Sequence, residues 1–426
     1  MKKVLHGGLV WQDTGFAKLD LVTENGVIIQ VGEKLFFPEA EIIDCRDSFL
    51  LPAVCDAHVH IGEKVCGLNL ADDWQSLSKL AEKCGTAAIG AFLTEASSSE
   101  DEEKILSMQY EEAKEKAQKE FCGKVHWHLT PKNSEVKDIL PLLENNCDLK
   151  FYTTYKENGL YRSYEEIERW MEELSDLQPT IFVHCEDDKI IAKYSEANPF
   201  HHPFDCTLRR PESAEIKAVE RILDLSVKHN YPVHIVHVSS PKSVLLINEA
   251  RTSAPVTCET APQYLLLNDS YLQRPDGHRW LCTPPLRSEN SRGLLVELLQ
   301  DGLIDVVATD HCPFTKEDKD RYKDNLEQVP SGLAGMGVTF PLLYEQLVHP
   351  DIITLDSLIA LLSINPARLL NIYPSFGSLG KGSKADIIIL KREPASKPIP
   401  VIPSFANTYN PWQDFTHHAD FTFFRG

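Results

Sequence analysis

The 426-residue chain lacks several features that would place it in a common class of protein. No apolar run reaches the roughly 18 residues that a membrane-spanning helix requires, and no run of lysine and arginine could follow a line of phosphates. The first residues are basic but are not followed by a continuous apolar segment, so we expect no signal peptide. The formal net charge of −20 disfavours nucleic acid and anionic membranes as partners. We therefore expect a globular protein with neither kind of partner.

The eleven cysteines also lack the spacing of a common cysteine site. No two of them stand in a CxxC arrangement, which small zinc sites and redox sites use. Their number is odd, and they are scattered along the chain. We expect reduced, buried thiols in the cytoplasm and no disulfide framework.

Both ends of the chain carry short strand patterns, broken by turn residues such as Asn25-Gly26. Near the N-terminus they lie at Val4–Val10, Leu19–Thr23, Val27–Val31 and Ile42–Cys45. Similar runs occur at 385–390 and 420–424. We predict that residues 1–52 and 375–426 together form a small β-sandwich domain around a separate domain of residues 53–374.

The middle of the chain alternates between short apolar runs and longer amphipathic stretches. The predicted strands are Ala88–Leu93, Lys124–Leu129, Asp148–Tyr152, Thr180–His184, Val233–His237, Val256–Glu259 and Asp305–Thr309. The predicted helices between them include Glu100–Glu120, Ser163–Leu174, Ser213–Lys228 and Ser291–Asp301. With one more strand ending near His58, the alternation fits a (β/α)8 barrel, and on pattern alone it also fits a doubly wound open sheet. Polar residues at the carboxyl ends of the strands favour the barrel, because these ends converge on one face of it.

Metal-binding residue types occupy several of those strand ends. His58 and His60 are separated by one residue, so in a strand both imidazoles point to the same side and could share a metal ion. Paired histidines also occur as ordinary surface or core residues. His184, His237 and Asp310 each end or follow a strand, where each alone could be a locally hydrogen-bonded residue. The shared placement of all five makes coincidence less attractive.

Lys150 is the least expected polar residue, because it lies inside an apolar strand. A buried lysine readily loses its proton, and a neutral amine can take up carbon dioxide to form a carbamate with two metal-binding oxygens. The alternative is a lysine whose stem runs along the strand to solvent. The residues themselves leave both readings open.

Six motifs give the chain a resemblance to a known family. They are DAHVH at 56–60, LKFYTTYK at 149–156, HCED at 184–187, HIVHVSS at 234–240, TPPLR at 283–287 and TDHCPF at 309–314. Together they resemble the amidohydrolase superfamily, in its cyclic-amidase branch of dihydroorotases, dihydropyrimidinases (hydantoinases) and allantoinases. The similarity continues to Asn407-Thr408-Tyr409 and so covers nearly the whole chain.

The resemblance implies a ligand set and a mechanism. Two divalent ions, most often zinc, would be held by His58, His60 and Asp310 on one side and His184 and His237 on the other, bridged by a carboxylated Lys150 and a hydroxide. The hydroxide would attack the amide carbonyl of a ring. Asp310 would act as general base and then general acid, and Tyr155 would stabilise the oxyanion. His234 and His311 match no ligand position and are expected to be packed neighbours. The branch usually forms dimers or tetramers.

The substrate follows less directly from the motifs. Dihydroorotases usually carry an arginine, which binds the substrate carboxylate, at the position of Gly62. We therefore expect a hydantoinase or dihydropyrimidinase, with Gly62, Thr283 and Ser331 at substrate-binding positions. One alternative is a dihydroorotase whose carboxylate is held by Arg287 or Lys64. The other is a non-catalytic relative that acts in binding or assembly.

Overall fold

The structure, a computed structural model, describes residues 1–13, 15–65, 67–96, 106–406 and 409–426. Its strands are β1 (Lys2–Gln12), β2 (Gly15–Glu24), β3 (Val27–Gly32), β4 (Glu41–Asp44), β5 (Ser48–Pro52), β6 (Val54–Val59), β7 (Lys64–Val65), β8 (Leu68–Asn69), β9 (Thr86–Thr94), β10 (Lys124–Thr130), β11 (Asp148–Tyr152), β12 (Ile181–His184), β13 (Val233–Ile235), β14 (Val256–Thr260), β15 (Val306–Val307), β16 (Asp386–Lys391), β17 (Ile399–Pro400), β18 (Thr416–His417) and β19 (Phe421–Arg425).

The helices lie mainly between the strands of the middle region. They are α1 (Trp74–Cys84), α2 (Leu106–Glu120), α3 (Val136–Glu144), α4 (Tyr164–Glu173), α5 (Asp188–Ala197), α6 (Asp205–Arg209), α7 (Glu212–His229), α8 (Pro241–Ala250), α9 (Pro262–Leu266), α10 (Glu289–Gln300), α11 (Lys316–Arg321), α12 (Thr339–Leu343), α13 (Leu355–Ile359) and α14 (Asn365–Leu369). Local sequence sets their ends. In α4, for example, Ser163 and Glu166 form a capping box at the N-terminus.

Eight parallel strands form the barrel, in the order β6-β9-β10-β11-β12-β13-β14-β15. A parallel bridge between Val59 and His311 joins the first strand to the segment that follows the last, so the barrel is nearly closed. This ring confirms the predicted (β/α)8 fold and excludes the open sheet.

The two chain ends meet in one seven-stranded sheet. Strands β5 and β16 pair antiparallel, with Leu50 opposite Ile389. Leu5, Leu21 and Ile387 belong to a separate apolar core beneath this sheet. A composite β structure from both ends is therefore confirmed, while the boundaries at 52/53 and 374/375 stay predictions.

Two predicted strands are shorter than expected by two or more residues. The strand predicted over Asp305–Thr309 is reduced to Val306–Val307, and the one predicted over Val233–His237 ends at Ile235. The backbone explains the second case, because His237 has φ +39°, which an extended strand does not allow. Thr309 turns its amide to the Asp56 carboxylate at 3.0 Å. The start of the helix predicted over Glu100–Glu120 falls outside the described residues.

Two further predictions concern the chain as a whole. No helix in the described part of the chain is both long and apolar enough to cross a membrane. The ten cysteines among the described residues are free thiols, and all but Cys122 are buried. Cys66 lies outside the described residues. A dimer or tetramer and a cytoplasmic location stay predictions.

Candidate metal centre

The six predicted metal ligands converge on one cavity. His58 and Lys150 lie within strands, and His184 is the last residue of a strand. The other three ligands follow the end of a strand. A cavity of about 870 Å³ is lined by His58, His60, Lys150, His184, His237 and Asp310. The carboxyl ends of the barrel strands thus bring together residues that are up to 252 positions apart (310 − 58) in the sequence.

One side of this cavity holds two imidazoles and a carboxylate. His58 Nε2 lies 3.1 Å from Asp310 Oδ1, and His60 Nε2 lies 3.7 Å from the same oxygen. Donor atoms of the three residues are all within 4.8 Å of one another. Burial alone would raise the pKa of Asp310, but His58 and His60 outweigh it and hold the pKa below its usual value. Asp310 is therefore an anionic oxygen donor beside two nitrogen donors, a set that suits a divalent cation.

The other side holds His184 and His237. His184 Nδ1 and His237 Nε2 lie 2.9 Å apart. Burial lowers the pKa of both residues, that of His237 well below its usual value. Both imidazoles are thus kept neutral, which is the form that binds metal ions.

Lys150 is buried in the same cavity, with its side chain 1% exposed. Within the described part of the chain its Nζ has no hydrogen-bond partner, and burial lowers its pKa to about 8. An unpartnered buried amine is costly, so the position fits a chemically altered or metal-linked nitrogen better than a free ammonium. The donor set as a whole fits two divalent cations.

Comparison with known proteins identifies the chain's relatives. Residues 49–417 match the amidohydrolase family. The chain belongs to this family. A D-phenylhydantoinase of Escherichia coli (strain K12 / DH10B) is 30% identical over 428 aligned residues, which cover 98% of this chain and 91% of that protein. The prediction of an amidohydrolase, and with it of a hydrolase, is confirmed.

Solved structures agree with this assignment. The crystal structure of dihydropyrimidinase from Brevibacillus agri NCHU1002 matches with a TM-score of 0.91 at 25% identity, over 99% of this chain and 92% of that one. L-hydantoinase (dihydropyrimidinase) from Arthrobacter aurescens matches with a TM-score of 0.88 at 23% identity, over 98% and 93%. At 23% identity, the similarity to the L-hydantoinase is evidence for the fold alone.

This amidohydrolase has carboxylates that we did not predict beside three of the histidines. Each carboxylate contacts the ring nitrogen that points away from the other predicted ligands. Glu259 contacts His58 Nδ1 and also lies 3.1 Å from His234 Nε2. Glu186 lies 2.7 Å from His184 Nε2, and Glu63 lies 2.7 Å from His60 Nδ1. Such contacts fix the ring orientation and leave the other nitrogen directed at the predicted metal position.

The charges of these carboxylates are set by their neighbours. Burial alone would raise the pKa of Glu259, but His58 and His234 outweigh it and lower the pKa below its usual range. Burial also opposes ionisation of Glu186, yet Arg210 and His184 bring its pKa down to about 2. Both carboxylates are therefore ionised near neutral pH. The sequence signal that could have revealed them is a carboxylate at or near a barrel-strand end, as in HCED and CETAP.

The predicted substrate-binding residues divide into two groups. Tyr155, Thr283 and Ser331 line the cavity, and the Tyr155 ring centre is 5.1 Å from that of His184. Gly62 is not among the lining residues; it has φ +72°, and a Cβ there would lie 2.8 Å from Trp74 Nε1.

The two basic side chains suggested as carboxylate-binding residues differ in their position relative to the cavity. Lys64 lines the cavity. Arg287 does not, because its guanidinium is buried against the Ser239 hydroxyl (2.9 Å) and the Arg210 carbonyl (2.6 Å). Arg287 is therefore not placed to hold a substrate, and its suggestion as an alternative was wrong.

Two histidines near the centre are packed neighbours, as predicted. His234 lies 2.8 Å from the Thr257 hydroxyl in addition to its contact with Glu259. His311 lies 3.1 Å from Asp72, and its Nδ1 accepts the amide of Gly335. His311 thus ties two loops to the segment that carries Asp310.

Proposed function

We propose that this amidohydrolase opens the ring of a cyclic amide of the hydantoin or dihydropyrimidine type at a pair of divalent cations. The observation that carries the proposal is the buried amine of Lys150, which has no hydrogen-bond partner among the described residues and lies in one cavity with the two donor sets. The relatives named hydantoinase and dihydropyrimidinase support the substrate class, since one of them is aligned over 98% of the chain.

The cations would be held by this chain's own donors. His58, His60 and Asp310 would bind one, His184 and His237 the other, and Lys150, carboxylated by carbon dioxide, would bridge them. Zinc is the ion we expect for this mixture of nitrogen and oxygen ligands. When bound, the ions would supply Lewis-acid chemistry, polarising a carbonyl and lowering the pKa of water.

The remaining chemistry belongs to side chains on the cavity wall. Asp310 would accept the proton of the attacking water at its carboxylate and deliver it to the ring nitrogen as the C–N bond breaks. The Tyr155 hydroxyl would donate a hydrogen bond to the carbonyl oxygen while negative charge develops there. One water is consumed, and the ring opens to a carboxylic acid and a nitrogen-bearing chain.

The chain lacks the arginine with which a dihydroorotase binds the substrate carboxylate, and of the two suggested substitutes only Lys64 lines the cavity. Gly62 offers no side chain, and Arg287 is engaged elsewhere. Glu63 lines the cavity and would repel a second carboxylate. Dihydroorotate is therefore expected to be a poor substrate.

The test is a substrate comparison on zinc-loaded protein. Hydantoin, 5-phenylhydantoin, dihydrouracil and dihydroorotate are incubated separately, and the ring-opened product is quantified by mass spectrometry. We expect turnover of at least one of the first three, and at least tenfold lower kcat/KM for dihydroorotate. Turnover of dihydroorotate alone would overturn the substrate class. Two bound ions with no turnover of any of the four would support the non-catalytic alternative.

A Lys150→Ala variant tests the site itself. It removes the bridging nitrogen and should lose both turnover and at least one ion per chain. Lys156→Ala is the matched control, because this lysine follows β11 but pairs with Asp188 in a half-exposed position.

A further inference from the structure

Three side chains of types that can bind metal ions lie together inside the barrel, and none of them lines the catalytic cavity. His126 and His128 are separated by one residue in β10, so both side chains point to the same side of the strand. Asp148 begins β11, directly opposite His128 in the sheet register. Their relative exposures are 3%, 0% and 3%. One donor atom of each lies within 4.8 Å of those of the other two.

The hydrogen bonds of His128 leave one nitrogen without a partner. Its Nε2 lies 3.1 Å from the Ala57 carbonyl, which can only accept, so Nε2 carries the proton. Its Nδ1 therefore holds a free lone pair, and this buried atom has no hydrogen-bond partner among the residues that the structure describes. Burial and His126 hold the pKa of His128 well below its usual value, so the ring stays neutral. A buried acceptor with no donor is costly unless something binds it.

The ring of His128 is held in a fixed position. At Gly90 on the neighbouring strand, a Cβ would lie 2.4 Å from His128 Nε2 and 2.4 Å from the Ala57 carbonyl oxygen. The missing side chain thus provides the space through which the imidazole reaches Ala57. A ring fixed in this way loses no further freedom on binding an ion.

Asp148 is oriented in a similar manner. Its Oδ1 accepts the Thr180 amide at 3.0 Å, and its Oδ2 lies 2.7 Å from His126 Nε2. Two imidazoles and one carboxylate form a donor set that divalent transition ions favour, with a fourth position left for water.

An ion could reach this group from the end of the barrel opposite the catalytic cavity. A separate cavity of about 310 Å³ lies at the amino ends of β11 and β12 and is lined by Asp148, Thr180, Gln178 and Asn146. None of His126, His128 and Asp148 lines the catalytic cavity. Of the three residues, Asp148 lines the second cavity, so this cavity borders the group on the side away from the catalytic residues.

We propose that His126, His128 and Asp148 bind a divalent transition-metal ion, a third metal position independent of the catalytic pair. A further group of possible ligands, Glu168, Glu172 and His229, does not carry the same inference. It lies at the surface, and Glu168 already pairs with Lys228 at 2.5 Å. It provides the control.

The experiment counts ions and locates them. Wild-type protein is loaded with zinc, passed through a desalting column and analysed for zinc per chain. Asp148→Asn keeps the size of the side chain and the acceptor for Thr180, and His128→Gln removes the free imidazole nitrogen. We expect each variant to hold one ion per chain fewer than wild type, and His229→Gln to equal wild type. An unchanged zinc content in both variants would reduce the group to a buried hydrogen-bond network and overturn the proposal.

A second measurement needs no variant. Crystals of the zinc-loaded wild type should give an anomalous peak between His126, His128 and Asp148, separate from any peak beside Lys150. Absence of that peak at full zinc loading would overturn the proposal even if the variants fail to fold. Because the two positions are distinguished in one map, the third ion and the catalytic pair can fail independently.

Discussion

The guanidinium of Arg210 lies 5.1 Å from the centre of the Tyr155 ring. The same guanidinium bonds Glu186 through Nε at 3.1 Å and Nη2 at 2.6 Å, and Glu186 also contacts His184. A single planar group thus links the predicted oxyanion donor to a predicted metal ligand. Tyr155 itself has φ +70°, an uncommon conformation for a tyrosine that its surroundings must hold in place.

This link predicts that Arg210 acts on catalysis through the position of Tyr155. Arg210→Lys keeps the charge but loses the planar, two-point contact with Glu186. We expect kcat to fall by about 10- to 100-fold, the cost of a slightly misplaced catalytic group, with a smaller change in KM and unchanged metal content. Steady-state kinetics with a metal analysis measures all three.

The neighbouring arginine is the matched control for that variant. Arg209 bonds Glu327 at 2.6 Å and the Asn198 carbonyl at 2.8 Å, and neither contact involves Tyr155. Arg209 also lines the cavity, but its hydrogen bonds go to Glu327 and to the carbonyls of Ser195 and Asn198 and reach no predicted metal ligand. Arg209→Lys keeps the charge and should leave kcat within about threefold of wild type. An equal fall in both variants would count against a positioning role for Arg210.

Tyr155 is predicted to act in the transition state. Tyr155→Phe removes only the hydroxyl, so we expect kcat to fall about 10²- to 10³-fold, as for loss of one oxyanion donor. KM should change little, because the hydroxyl would act mainly on developing charge. Tyr161→Phe, at a partly exposed ring beside Lys156, should retain full activity. A Tyr155→Phe enzyme with normal kcat would remove this residue from the mechanism.

Glu259 is predicted to determine metal affinity through His58. Glu259→Gln removes the negative charge that orients this ring, so the metal affinity should fall about 10- to 100-fold. Competition with a chromogenic chelator measures the change. Glu249→Gln, at an exposed position of α8, is the control and should bind metal as wild type does. Equal affinities in the two variants would show that Glu259 only fills space.

Gly62 is predicted to be required by the backbone. Gly62 and Gly67 have φ +72° and +74°, but only at Gly62 would a Cβ meet Trp74, at 2.8 Å. Alanine should therefore destabilise both positions through strain, and Gly62→Ala should lower the free energy of unfolding by about 1–3 kcal/mol more, because of overpacking. Denaturant unfolding of the two variants measures the difference.

The same position bears on substrate choice. Gly62→Arg introduces the residue type that dihydroorotases usually carry here, but Gly62 does not line the cavity. We expect no gain in dihydroorotate turnover. A substantial gain would mean that the loop can turn an arginine inward.

The ligand set could be predicted because its pattern is local. His58 and His60 are separated by one residue, so a strand places both on one face. His184 and Asp310 each follow a run of apolar strand residues. The barrel then follows from the alternation of strands and helices. The structure brings these residues together, whereas their roles at the metal ions stay predictions.

The carboxylates around that set could not be predicted in the same way. His58 and Glu259 are 201 residues apart, and their contact depends on how the barrel closes. Arg287 shows the reverse case, because it was considered as a residue that could hold a substrate carboxylate, and its guanidinium contacts Ser239 instead. Whether a side chain turns to the cavity or to a buried serine is decided by packing that no short segment encodes.

The pairing of β5 with β16 has a consequence for the order of synthesis. The two strands are separated by 333 residues, 53 to 385, which include the whole barrel. At about 5–20 residues per second, roughly 15–70 seconds pass between the completion of β5 and the appearance of β16. Until β16 is made, the edge of β5 at Leu50 and Leu51 lacks the strand that covers it in the folded protein, and an unpaired strand edge is a site at which other chains can pair.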